Sequence, residues 1–136
     1  MRQNTIRLPK IFLTHNGPDK LSVGELLEHI ALICEADWRI SNEASQDDME
    51  AYYLSVSYQD LTSIREGLLE HFESLCSNYQ TLSEKALLTE TTSHWGVTYT
   101  RYEWLLEIVA HMYHHRGQLH SMLVQCGKDP GLLLFE

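Results

Sequence analysis

The chain has 136 residues, 19 acidic and 10 basic, for a formal net charge of −9; that length suits one domain with a real hydrophobic core. A phosphate-binding surface needs clustered Lys and Arg, and none appears, so nucleic acid is excluded as an expected partner. The apolar runs are far too short to span a bilayer, and residues 1–7 lack the apolar core of a secretion signal.

Residues 1–20 contain Pro9 and Asn16-Gly17-Pro18 with little periodicity and read as an irregular N-terminal segment. Ser22 and Glu25 then form a capping box, in which the serine oxygen and the glutamate satisfy free backbone N–H groups. From there to about Ile40, the stripe Leu26, Ile33, Ala36 and Ile40 recurs at helical spacing, with His29 in its middle. Met49, Tyr52, Tyr53 and Val56 predict a short second helix. A long helix follows from roughly Gln59, with Leu61, Ile64, Leu68, Phe72, Leu75 and Tyr79 inward. Residues 81–99 read as a connection, with a helical turn at Ser83–Leu88 and an extended piece around His94–Tyr99.

Thr100 and Glu103 make another capping box and open the last helix, whose inward stripe is Trp104, Ile108, His111, His115, Gln118 and Met122. Gly127 and Lys128, before Asp129-Pro130-Gly131, end it. The apolar tail Leu132–Phe135 is expected to fold back. One all-α domain over residues 1–136 accounts for these signals.

His111 and His115 stand four apart, so both rings leave one helix face and can share a metal ion. The rival reading is a pair of helix histidines hydrogen-bonded to neighbours. Both lie on an apolar stripe, where an unpaired polar ring is unfavourable, and His29 meets the same constraint on another helix. Three such histidines form a candidate metal site with His29, His111 and His115 as ligands. His114 points about 60° away from His111 on a helical wheel and reads as a rim group. His120 faces away from the stripe and reads as solvated. His71 borders the third helix's stripe as a reserve ligand or a core histidine, and His15 and His94 carry no spacing argument.

The three cysteines, Cys34, Cys76 and Cys126, are odd in number and widely spaced, which fits a reducing cytoplasmic setting rather than a disulfide framework. Cys126 lies roughly 16 Å along the axis from His115, too far to share its ion. Gly117 inside a helix is unfavourable by about 1 kcal/mol relative to Ala, which suggests close helix approach, room for a ligand or a tolerated imperfection.

Two blocks carry a resemblance over roughly residues 20–132. One is Gly24-Glu-Leu-Leu-Glu-His-Ile30 followed by Asp37-Trp38. The other is Tyr102-Glu-Trp-Leu-Leu-Glu-Ile-Val-Ala-His111, leading into His115-Arg-Gly-Gln-Leu119 and then Gly127 and Pro130. Together they resemble the DinB-like (YfiT-like) family of bacterial metalloproteins. The resemblance implies an up-down four-helix bundle, commonly dimeric, holding zinc or nickel with His29, His111 and His115. Here the family's first helix reads as missing or reduced, and a partner chain could cover the apolar surface so exposed.

By that resemblance the chain is expected to be a metal-dependent enzyme akin to thiol-dependent S-transferases. Its ion would activate a bound low-molecular-weight thiol, or water, toward a small-molecule substrate. Gln118 could orient that ligand, with His114 and Arg116 as further candidates beside the ion; surface hydrogen bonding is the rival reading for Gln118 and Arg116. A metal-binding stress protein without catalysis is the alternative, and a purely structural bundle would leave the three histidines incidental. A homodimer without membrane or nucleic-acid partners completes the expectation.

Overall fold

The computed structural model describes residues 21–132. The expected irregular segment 1–20, where the family's first helix reads as reduced, and residues 133–136 of the tail lie outside that range. Among the described residues the order is α1 (Val23–Ser41), α2 (Gln46–Ser55), α3 (Leu61–Gln80), the single turn α4 (Glu84–Leu87), β1 (Glu90–Thr92), β2 (Thr98–Thr100) and α5 (Arg101–Gln125). No described helix is long and apolar enough to cross a membrane.

Each long helix starts where its side chains can satisfy the free N–H groups of the first turn. Ser22 with Glu25, Asp60 with Ser63, and Thr100 with Glu103 all form reciprocal capping boxes, as do Ser45 and Asp48 on α2. At the far end of α5, Gly127 adopts φ +73°. Its N–H reaches the Val124 carbonyl at 2.9 Å and the Lys128 N–H reaches that of Leu123 at 2.8 Å. This bonding pattern closes a helix on a left-handed residue, which glycine adopts without Cβ strain.

Helix α1 packs chiefly against α3 and α5. One core cluster joins Leu26, Ile30, Ile33 and Cys34 of α1 to Leu75 of α3 and Ile108 of α5. Fully burying a side chain such as Ile108 is worth roughly 2–3 kcal/mol. The second cluster gathers Leu32, Ala36 and Ile40 with Met49, Tyr52 and Trp104, and packs against Trp95, Val97 and Tyr99. Leu61 and Phe72, expected inward, are 68% and 52% exposed. Leu61 is the first residue of α3; Phe72 lines an apolar groove between α1, α3 and α5 with Leu27, Leu68, Val109 and Tyr113.

The connection departs most from expectation. Its extended residues pair as an antiparallel hairpin, with Thr91 opposite Tyr99 and Thr92 opposite Thr98. The Ser93 N–H meets the Val97 carbonyl at 2.8 Å, the Gly96 N–H meets the Ser93 carbonyl at 2.8 Å, and Gly96 has φ +92°. Trp104 of α5 donates its indole N–H to the Thr91 carbonyl at 3.4 Å and packs edge-on to Tyr99, with centroids 4.9 Å apart. The hairpin is thereby fastened over the start of α5, and this fixes Trp95.

Candidate metal centre

Helix α1 supplies His29, 4% exposed, and α5 supplies His111 and His115, both half-buried. The i, i+4 spacing stacks the two α5 rings on one face, with centroids 4.9 Å apart. Contact between α1 and α5 brings the third ring against them. His29 Nε2 lies 3.3 Å from His111 Nε2 and 3.0 Å from His115 Nε2, and one ligand atom from each residue lies within 4.8 Å of the others. Two nitrogens each about 2.0–2.1 Å from a tetrahedral zinc lie about 3.3–3.4 Å apart, so the separations suit a shared ion.

Proton placement supports the same fit. His111 Nδ1 lies 2.7 Å from Asp37 Oδ2, and His115 Nδ1 lies 2.9 Å from Gln118 Oε1. Both oxygens are acceptors, so each Nδ1 carries the proton and donates. In neutral rings so oriented, the Nε2 atoms of His111 and His115 carry the lone pairs, and both lie against His29 Nε2. A single N–H there could satisfy only one of them, whereas a divalent cation satisfies all three. Burial, reinforced by the charges His115 and His111 would carry, pushes the His29 imidazolium down to about 2. His115 is also lowered, chiefly by burial. Both rings are thus held neutral, the form that ligates.

A cavity of about 320 Å³ adjoins the cluster and is lined by His29 and His111, by Ile33, Ala36 and Ile40 of α1, and by Tyr53, Trp95 and Trp104. Asp37, Glu107 and His114 complete its polar lining. Exposed Glu107 and His114 mark where it meets solvent.

The structure brings His29, His111 and His115 together, with Gln118 holding the His115 ring. His114 stands beside His115, ring centroids 4.8 Å apart, at the cavity mouth. Arg116 goes elsewhere: its guanidinium lies 4.5 Å above the Tyr113 ring, on the groove side of α5. The reserve ligand His71 takes the core role instead, its Nδ1 at 2.8 Å from the Ala31 carbonyl of α1. His120 is half-buried and His94 sits in the hairpin turn; neither joins the cluster. Cys34 is buried in the core and its thiol is pushed up to about 11, while Cys126 is exposed at the end of α5. Around Gly117 a Cβ would meet nothing within 4 Å, so close helix approach is not the reason for that glycine.

Asp37 is the residue that spacing arguments passed over. It lies eight positions after His29, just over two turns along the same face of α1, as a carboxylate among Ile33, Ala36 and Ile40. A buried-side acid in an apolar stripe that also carries a histidine was the available signal.

A helical fold in which two helices converge on a three-histidine cluster that could hold a metal, beside a cavity, is the class of protein these features define. The chain belongs to the DinB family: the family pattern matches residues 9–133. Its fold is similar to the crystal structure, at 1.70 Å, of a "putative member of the DinB family" from Exiguobacterium sibiricum 255-15. That likeness has a TM-score of 0.68 and 32% sequence identity, covering 93% of this chain and 81% of the other. None of the curated proteins compared with the chain matches it.

Proposed function

We propose that the chain is a metal-dependent enzyme that holds one divalent ion, zinc or nickel, through His29, His111 and His115 and joins a low-molecular-weight thiol to an electrophile. The observation that carries this reading is the convergence of three Nε2 atoms at 3.0 and 3.3 Å, beside a cavity with room for a reactant. When bound, such an ion supplies Lewis acidity that lowers the pKa of a thiol or water. Asp37 and Gln118 keep the Nδ1 protons of His111 and His115 in place, which fixes ring orientation and ligand basicity. The apolar walls exclude water from the reactants. In the reaction a sulfur–carbon bond forms, the leaving group departs with its electron pair, and the thiol proton passes to solvent base. A homodimer through the apolar groove is part of the same reading.

Elemental analysis of protein purified without added metal tests the site, with about one zinc or nickel per chain expected. Conjugation of a low-molecular-weight thiol to an alkyl halide, compared with equal free metal, tests the chemistry. Stoichiometric metal without turnover of such pairs would favour the non-catalytic metal-binding alternative.

A further inference from the structure

Resting on the proposed metal site, we infer that the adjoining cavity, which has room for an aromatic ring, selects an uncharged apolar group as the part of the substrate beside the three histidines. Trp95 is its specificity-determining wall. The cavity's volume of about 320 Å³ is at the small end of ligand sites. Its surface is mostly hydrocarbon and indole, from Ile33, Ile40, Trp95 and Trp104. Its lining holds two carboxylates, Asp37 and Glu107, and no lysine or arginine among the described residues. In the metal-stripped cavity an anionic group would lose its water and face like charges without a side-chain cation to offset them. A neutral ring gains burial at no such cost.

Trp95 stands apart from the other walls because it comes from the hairpin. Its position is set by the Ser93–Val97 turn, and its ring meets Trp104 edge-on with centroids 6.5 Å apart. Trp38, by contrast, packs on Tyr79 and lines a different surface. The three indoles therefore separate binding in the cavity from binding elsewhere.

The test follows the three indole N–H signals by nitrogen-15 NMR of metal-stripped protein at pH 7.5, with benzyl alcohol and benzoate as probes. Benzyl alcohol is expected to shift the Trp95 and Trp104 signals saturably and leave Trp38 in place, with benzoate at least tenfold weaker. Glu107→Lys, at an exposed position, should narrow that gap at least threefold. Trp95→Ala should weaken benzyl alcohol at least fivefold. On zinc-loaded protein, phenylmethanethiol should bind at least tenfold tighter than ethanethiol, and Trp95→Ala should remove the excess. Equal binding of benzoate and benzyl alcohol would overturn the inference. So would binding in the groove beside Phe72, which leaves the Trp95 and Trp104 signals unmoved. Zinc binding that persists without probe binding refutes the cavity assignment alone. Probe binding without zinc binding refutes the metal site and leaves the cavity's selectivity standing.

Discussion

Replacing Asp37 with alanine should weaken zinc binding without removing a ligand. The Asp37 carboxylate lies 2.7 Å from His111 Nδ1, with the two side chains 20% and 30% exposed. The bond is therefore partly shielded from water, and solvent replaces it incompletely. Loss of such a partner typically lowers metal affinity 10–100-fold, or about 1.4–2.7 kcal/mol. The His111 ring would regain rotational freedom, and its Nε2 would become a weaker donor. Asp37→Asn should fall between, because an amide oxygen can still accept the Nδ1 proton but carries no charge. Competition titration against a chromogenic chelator at pH 7.5 measures all three proteins, with His111→Ala, expected to lose tight binding, marking complete loss of a ligand. Circular dichroism melts of the metal-stripped forms separate a metal effect from general destabilisation. Unchanged affinity in Asp37→Ala would refute the idea that this carboxylate positions the His111 ring.

The metal-stripped protein should lose stability as pH falls below 6.5, because unfolded His29 takes up a proton that the buried ring, held down to about 2, refuses. That slope is up to about 1.4 kcal/mol per pH unit for one histidine; urea midpoints between pH 6.5 and 4.5 should be flatter in His29→Phe, and equal slopes would refute it. Gly117→Ala should stabilise the chain by about 1 kcal/mol, since a Cβ meets nothing within 4 Å, and should leave zinc affinity unchanged. A lower melting temperature would show that something else occupies that space. Sedimentation at micromolar concentration should find a two-fold homodimer that Phe72→Glu dissociates; a compact monomer of the native chain would remove the dimer from the reading.

The helices were legible because their signals are local. Ser22 with Glu25 and Thr100 with Glu103 mark true starts, and Gly127 a true end. The histidine cluster was legible for a related reason: His111 and His115 need only helical spacing to share a face. His29 needed only an apolar stripe and one assumption, that α1 packs on α5. Phe72 shows the limit of that method. It satisfies the stripe's period on α3 yet remains 52% exposed among the described residues, because periodicity identifies a face but not whether another element covers it.

What escaped the sequence depends on contacts distant in the chain. Asp37 and His111 lie 74 residues apart, and only the packing of α1 on α5 makes them partners. The hairpin escaped for a second reason: strands of three residues are too short to display a period, and their pairing depends on a turn built around Gly96. Yet that hairpin positions Trp95 against Trp104 and so shapes the space beside the histidines. The three-histidine cluster rests on regular helix geometry, whereas the cavity wall rests on a short irregular connection. Substitutions in residues 89–99 can therefore reshape the cavity without moving a nitrogen of the cluster. Metal affinity and substrate preference in this chain should accordingly vary independently.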